Sequence, residues 1–421
     1  MCTQDVKYQF FCFEPQRSLM NLSAFNSQPF RHYLACVSIA LHGMWIQRLV
    51  VVWLAWDVSG SPAFVGFVAF LSFAPTMITG PFFGVLADRI EIRLAVFSNY
   101  IAMLAITLIF VISVYFFGVG RISVALFATA IGIVASANHP FRMAFAARLG
   151  NKEQLSSIIA VTVLNFNISR LVGPAIGGVL LTKIGPVQTL WVTIIGFLPM
   201  IFLVRKITIR PRDFTARTKQ QFINALKDGF NYTKKDPFIL YIFGLTIFVT
   251  MVGRGLLETL PIIAQGVFDK GPNELGMLTA TAGGGAIFAS FAKAAGKPQE
   301  VGAIGWLGVV CAILVPLSVI LIGLSHNIIL TVGLVALLGF STTFFATTMQ
   351  SAAQLQLTDE FRGRVMSLWT MIAMGGGAIG ALLLGVISEI LGISATFITL
   401  GGLTTVITTI ILLCVRPLKS N

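Results

Sequence analysis

Four charged residues interrupt otherwise apolar stretches of the sequence and are the first candidates for chemistry. They are three arginines and one glutamate: Arg48, Arg170, Arg254 and Glu258. A charge at the centre of a bilayer costs roughly 2.5–3.5 kcal/mol on insertion scales, so such groups normally face a bundle interior or a water-filled cavity. Arg254 and Glu258 are four residues apart and can pair on one helix face. The pattern predicts an interior charged site with Glu258 as a protonatable coupling group, a structural ion pair being the alternative.

Polar residues around Arg48 extend this candidate site. Trp45 and Gln47 precede it, and Asp57 lies where the same apolar stretch ends. We predict roles in coupling or substrate contact for all three. The four histidines form no metal-ligand pair and the five cysteines show no CxxC spacing, so no metal site is expected. No Walker A loop and no catalytic cluster of His, Asp or Ser is present, so we predict neither a cofactor nor an enzyme.

Membrane-spanning helices must position these residues. Hydrophobic residues make up 56% of the 421 residues and charged residues 11%, whereas soluble domains carry about 25% charged residues. Apolar stretches long enough to cross a bilayer as a helix recur along the chain. We predict an all-α membrane protein with twelve spans, near 33–56, 62–87, 94–117, 122–145, 155–182, 186–205, 237–265, 273–296, 301–323, 327–351, 363–388 and 391–415.

Basic residues orient this bundle. If the N-terminus is cytoplasmic, most of the 29 lysines and arginines fall on the cytoplasmic side, and this asymmetry sets orientation. We therefore predict cytoplasmic termini and a location in a bacterial inner membrane. The lipid bilayer is then the partner that explains the net charge of +13, and no nucleic-acid partner is needed.

A basic segment divides the chain into two pseudo-symmetric six-helix bundles. Residues 173–178 resemble 376–381, and 142–149 resemble 350–357, which suggests two parallel repeats of the kind associated with alternating access. Apolar residues at helical spacing also predict a short amphipathic helix within the basic segment. The predicted units are a tail at 1–30, a bundle at 31–205, a linker at 206–236 and a bundle at 237–421.

The short loop after the second span carries candidates for conformational gating. An acid there can meet a helix N-terminus or an arginine and hold the cytoplasmic ends of the two halves together in one state. We expect Asp88 to approach either residues 362–365 or Arg142; an ordinary charged turn is the alternative. The gating candidates are Gly84, Asp88, Arg89, Arg93, Arg142 and Arg364.

Residues 84–93 resemble the loop signature of the major facilitator superfamily, with departures at Glu91 and Ile92. The resemblance runs from about Arg31 to the end and is strongest with the branch of enterobactin exporters and macrolide efflux proteins. Residues 361–367, Phe-Arg-Gly-Arg-Val-Met-Ser, are its sharpest marker. The fifth span adds the end of the antiporter motif of that superfamily, where simple tight packing is the alternative: Gly173, Pro174, Gly177 and Gly178.

The resemblance implies a proton-coupled exporter of an amphiphilic small molecule, such as a siderophore or a drug. Substrate would bind near the bilayer midplane between the halves, which would rock to expose it to each side in turn. Protons and the small molecule are the expected partners, and the oligomeric state stays open. The alternatives are uptake or lipid flipping on the same fold, or a receptor or scaffold that transports nothing.

Overall fold

The computed structural model describes residues 23–87, 89–210, 222–296 and 299–414, and the described chain is helical without a β-strand. Helices suit an apolar chain in lipid because each satisfies its own backbone hydrogen bonds. The helices are α1 Gln28–Asp57, α2 Pro62–Ala87, α3 Ile92–Phe117, α4 Arg121–Ala146, α5 Leu155–Lys206, α6 Phe222–Lys235, α7 Pro237–Glu258, α8 Pro272–Ala295, α9 Trp306–Leu324, α10 Ile328–Gln356, α11 Asp359–Leu391 and α12 Ile393–Cys414.

The helix α5 supplies two of the predicted spans. Its backbone leaves the helical conformation at Gly185, with φ 79° and ψ 173°. Gly173 on the first arm and Thr193 on the second both contact α1 beside Gly43, so the chain turns back at Gly185. Eleven described helices are long and apolar enough to cross a bilayer, and the two arms of α5 bring the spans to twelve. The twelve-helix prediction is confirmed.

The seventh predicted span differs from the structure. Residues 237–265 were expected to form one helix, but α7 ends at Glu258, and Thr259 has a non-helical backbone (φ −114°, ψ 24°). A short π-helix then covers Ile262–Val267. Pro261 explains the interruption, because proline donates no backbone hydrogen bond and its ring displaces the carbonyl four residues earlier. The break places Glu258 at a helix end.

The helix α6 is the amphipathic segment predicted within the basic linker. It packs against α11, where Tyr232 stacks on Phe361 with ring centroids 4.7 Å apart. Gly229 permits the contact, since a Cβ there would lie 3.0 Å from the carbonyl oxygen of Arg364. The linker thus binds one half of the bundle directly at the end of α11.

Packing relates the two halves by a pseudo-two-fold axis. Within the first half α1 packs on α5, α2 on α4 and α3 on α4; within the second, α7 packs on α11, α8 on α10 and α9 on α10. Each pair in the first half has its counterpart in the second half at helix numbers that are higher by six: the α1–α5 pair, for example, corresponds to the α7–α11 pair. The halves meet where α2 packs on α11 and α5 on α8, a pair of contacts related in the same way. The exact domain boundaries of the sequence analysis stay a prediction.

Candidate functional site

Glu258 joins the two halves through an ion pair. Its carboxylate accepts a hydrogen bond from Nη2 of Arg48 on α1, while Nε of Arg254, one turn earlier on α7, lies 3.8 Å from the other carboxylate oxygen. The pairing within α7 agrees with the spacing of four residues. The pairing with Arg48 spans 210 residues of sequence and connects the first half to the second. One carboxylate therefore serves two guanidinium groups.

Aromatic rings hold the arginines around this carboxylate. The guanidinium carbon of Arg48 lies 4.0 Å from the ring centroid of Phe73 and 5.0 Å from that of Trp45. Arg170 lies 5.9 Å from the same Trp45 ring, and Arg254 lies 5.7 Å from Phe73. A cation over an aromatic face gains about 0.5–1 kcal/mol where exposed and about 2 kcal/mol where water is excluded. The rings thus give Arg48 and Arg254 a second partner besides the carboxylate, and they give Arg170 its one described partner at the guanidinium.

Glycines make room for the two side chains that define the site. A Cβ at Gly377 of α11 would lie 2.7 Å from Cδ of Arg254, so the stem of this arginine crosses α11 at a position that only glycine leaves open. A Cβ at Gly173 would lie 2.7 Å from Cβ of Trp45. Small residues permit such close helix contacts in membranes.

The charges of the site do not balance. Three guanidinium groups face one carboxylate, and among the described residues Glu258 is the one acidic group that contacts them. Arg170 makes no hydrogen bond or ion pair with any described residue. The side chains of Arg48 and Arg254 are 29% and 30% exposed, against 13% for Glu258, so the arginines line open space. An interior of this kind can hold an anion.

Two of the predicted residues lie away from the cluster. Gln47 is buried and donates from Nε2 to Oγ1 of Thr107 on α3 at 2.5 Å. Asp57 is exposed at the last turn of α1. The structure therefore brings Arg48, Arg170 and Glu258 together but joins neither of these two residues to them. Their coupling roles stay predictions.

The predicted gating residues lie at the α6 end of the bundle. Asp88 falls outside the described residues. Arg89 is exposed in a turn, and Arg93 donates from Nη2 to the carbonyl oxygen of Ile207 at 2.7 Å. No described atom lies within 4 Å of a Cβ built at Gly84, so no described helix packs closely against this glycine in this conformation.

The remaining gating candidates make different contacts. Arg142 is buried, its Nε and Nη1 have no hydrogen-bond partner among the described residues, and its guanidinium lies 5.2 Å from the Phe166 ring. Arg364 lies 3.5 Å from Asp228 of α6 and 3.8 Å from Glu360 one turn earlier on α11. Arg364 thus fastens the linker helix to α11.

The opposite end of the bundle, here called the far end, is closed by two helix crossings. A Cβ at Gly66 would lie 2.4 Å from the carbonyl oxygen of Ala381, which brings α2 against α11. A Cβ at Gly178 would lie 2.7 Å from the carbonyl oxygen of Pro272 and 3.0 Å from Cα of Gly276, which brings α5 against α8. Gly178 belongs to the predicted antiporter motif, whose Gly173, Pro174 and Gly177 contact α1 or α8.

The glycines of α2 and α11 at the α6 end make no such close approach. Neither Gly84 of α2 nor Gly363 of α11 has a described neighbour within 4 Å of a Cβ. The two glycine crossings described above thus have no counterpart at Gly84 or Gly363, and they close off the charged site at the far end.

Phe73, Phe166 and Gly377 belong to the site but were not identified from the sequence. The sequence contains 35 phenylalanines and 40 glycines, and nothing in the spacing of these three distinguishes them. One signal in the sequence pointed to partners elsewhere in the chain: Arg48 and Arg170 have no acidic residue within four positions.

Twelve spans in two related halves, with an exposed charged site between them, define a membrane transporter. The chain belongs to the transmembrane secretion effector family of the major facilitator superfamily, whose profile matches residues 20–420. The proteins of this family are transporters and not enzymes. The resemblance stated from the sequence is confirmed, and the chain is an integral membrane protein.

Individual relatives cover nearly the whole chain. The staphyloferrin A transporter of Staphylococcus aureus (strain NCTC 8325 / PS 47) is 24% identical over 407 residues, covering 92% of this chain and 97% of the relative. The enterobactin exporter EntS of Escherichia coli O1:K1 / APEC is 25% identical over 389 residues, covering 88% of each. A solved structure of a bacterial homologue of the lysosomal transporter Spinster, inward-facing and unoccupied, shares the fold with a TM-score of 0.68, 15% identity and coverage of 92% of this chain and 96% of that one.

Proposed function

We propose that the protein is a proton-coupled exporter of an amphiphilic small molecule, a siderophore or a drug, that works by alternating access. The observation that carries the proposal is the Arg48–Glu258 pair, which joins the two halves at a partly exposed site in the interior of the bundle. The relatives support the direction and the class of cargo, since one is an enterobactin exporter and another a staphyloferrin A transporter.

Glu258 would couple the proton to the movement of the halves. As a carboxylate it ties α1 to α7 through Arg48, and it also pairs with Arg254. Separating the halves around a charged Glu258 leaves Arg48 without a carboxylate and Glu258 with Arg254 alone. Removing one partner of a fully buried pair costs about 3–5 kcal/mol, an upper bound here because Arg48 is partly exposed. A proton on Glu258 removes that cost because it neutralises the acid. Protonation and separation of α1 from α7 therefore favour one another.

The export cycle follows from this coupling. We assign the present conformation, which is closed at the far end and has Glu258 paired with Arg48, to the state that faces the cytoplasm, with α6 on the cytoplasmic side. Substrate enters from the α6 end and meets the arginines. The far-end crossings at Gly66 and Gly178 then open and release it outside, where Glu258 takes a proton. When the halves return, Arg48 meets Glu258 again, and the re-formed ion pair expels the proton to the cytoplasm.

Glu258→Gln tests the coupling, because glutamine keeps the shape of the side chain and removes its titration. Inside-out vesicles carrying the purified protein would be energised with a proton gradient and given fluorescein, a fluorescent amphiphilic anion, in the external medium. We expect the variant to bind fluorescein and to exchange it across the membrane without the gradient, but to lose accumulation driven by the gradient. Glu300→Gln, an exposed acid after α8, is the matched control and should behave as wild type.

Two outcomes would contradict the proposal in different ways. Normal gradient-driven accumulation by Glu258→Gln would move the coupling group elsewhere, with Asp57 the next candidate. Accumulation of substrate by right-side-out vesicles, but not by inside-out vesicles, would replace export with uptake.

A further inference from the structure

The arginines of the interior site exceed what its own acid can neutralise. Arg48 and Arg254 share Glu258, whereas the guanidinium of Arg170 lies over the Trp45 ring and makes no hydrogen bond or ion pair with a described residue. The four charged groups sum to two positive charges when Glu258 is ionised. A guanidinium inside a membrane bundle is costly without a counter-charge, and such residues normally mark a pathway for a ligand. We therefore expect the bound molecule to supply the missing negative charge.

The arginines are close enough for one small molecule to bridge them. The guanidinium carbons of Arg48 and Arg170 lie 5.0 and 5.9 Å from the same Trp45 centroid, so they cannot be more than about 11 Å apart. Guanidinium binds carboxylate through two parallel hydrogen bonds, a geometry that lysine does not offer. A ligand with acidic groups at two ends can therefore engage both arginines at once.

The aromatic rings define the middle of such a ligand. Trp45 contacts both Arg48 and Arg170, and Phe73 contacts both Arg48 and Arg254. A flat apolar part placed beside either ring displaces water while its acidic ends remain at the arginines. The ligand needs both its acidic groups and its apolar part, because an anion without an apolar part would leave water in contact with the aromatic rings.

We propose that the substrate is a small molecule with at least two anionic oxygen groups, such as carboxylates, on either side of a planar apolar part. This inference rests on the proposed function, since the same interior would carry the exported molecule. Two negative charges neutralise the site while Glu258 remains ionised. One acidic group binds at Arg48 and Arg254, and the second pairs with Arg170. Arg170 thereby distinguishes a dianion from a monoanion.

The test measures binding of three flat probes that differ in charge. Terephthalate carries two carboxylates, benzoate one, and terephthalamide none. Calorimetry would use the full-length protein in phosphatidylcholine nanodiscs at neutral pH, where no anionic lipid headgroup can occupy the site. We expect terephthalate to bind about tenfold or more tightly than benzoate, the gain of one charged hydrogen-bonded contact, and terephthalamide to bind weakest. Equal affinities for terephthalate and terephthalamide, equal affinities for terephthalate and benzoate, or no binding of terephthalate would overturn the proposal.

Arg170→Gln tests whether Arg170 binds the second acidic group of the substrate. We expect this variant to bind terephthalate about as weakly as benzoate, a loss of about tenfold or more, while benzoate binding stays within about twofold of wild type. Arg170→Lys keeps the charge and should retain part of the preference. Arg121→Gln, an exposed arginine at the start of α4, is the matched control. A variant of Arg170 that elutes as wild type and keeps the full preference for terephthalate would overturn the assignment.

The lipid source of anions and the exporter proposal are tested separately. Nanodiscs that also contain phosphatidylglycerol show whether a lipid phosphate competes: loss of terephthalate binding there would assign the site to the lipid headgroup and overturn a free substrate. The binding assay needs no proton gradient. A preference for terephthalate without gradient-driven transport would therefore contradict only the proposal of a proton-coupled exporter. Gradient-driven export of fluorescein without any preference among the three probes would contradict only the proposal that the substrate is a dianion.

Discussion

The crossing of α2 and α11 at the far end offers a direct test that the bundle has two conformations. A Cβ at Gly66 would lie 2.4 Å from the carbonyl oxygen of Ala381 and 3.0 Å from Cα of Gly385. In the other direction, a Cβ at Gly385 would lie 2.4 Å from the carbonyl oxygen of Pro62. These neighbours are backbone atoms, so no side-chain rotation relieves the contact. Gly66→Ala therefore forces the two helices apart.

The size of the effect follows from that contact. Overpacking costs about 1–3 kcal/mol, and each 1.4 kcal/mol is tenfold in an equilibrium constant. Alanine also favours helix by about 1 kcal/mol over glycine, but this gain applies to both conformations and cancels. We expect Gly66→Ala to reduce the far-end-closed conformation by roughly fivefold to 150-fold relative to a conformation in which α2 and α11 separate there.

Pulsed electron resonance between two spin labels measures that separation. Phe117 at the end of α3 and Ile390 near the end of α11 are exposed at the far end, one in each half. With both labelled in a cysteine-free background, Gly66→Ala should move the distance distribution to longer values. Gly80→Ala is the control on the same helix, since its Cβ would meet only Cγ2 of Thr76 at 3.6 Å. Identical distributions for the two variants would refute the reasoning.

Three further predictions concern the site, the gate and the orientation. Gly377→Ala should displace the stem of Arg254 and weaken substrate affinity about threefold to tenfold, while Gly402→Ala, with no described neighbour within 4 Å, should leave the Kd unchanged in the same binding assay. Asp88→Asn should lower transport while inserted protein stays at the wild-type amount, measured by vesicle uptake and immunoblot; wild-type transport would exclude this acid from the mechanism. Alkaline phosphatase fused near Ala216 should be inactive, and high activity would invert the topology.

Hydropathy and local spacing predict most of the fold, because each membrane-spanning helix must satisfy its backbone hydrogen bonds internally. The division of the uncharged stretch at Ser325, His326 and Asn327 is an example: α9 ends at Leu324, and Asn327 caps α10 by accepting from two backbone N–H groups. The turn between the fifth and sixth spans was also expected, and the structure places it at Gly185. Such features depend only on neighbouring residues.

The contacts between halves could not be predicted in this way. Arg254 and Glu258 are one turn apart, so spacing predicts their pairing, but Arg48 reaches Glu258 across 210 residues. Apolar periodicity does not distinguish a face towards lipid from a face towards another apolar helix, because both are hydrophobic. The orientation of Gln47 towards α3 was missed for this reason.

The site combines strong and weak contacts in a way that suits repeated switching. When Glu258 takes a proton, Arg48 loses its ion pair but keeps Phe73 at 4.0 Å and Trp45 at 5.0 Å. Both ring contacts are already made in the paired form, so they do not change the free-energy difference between the two forms. They leave Arg48 with a partner in each form, since a cation over an aromatic face gains about 0.5–2 kcal/mol. The difference between the forms is therefore set by the carboxylate, and a proton on Glu258 or an anion beside Arg48 decides between them.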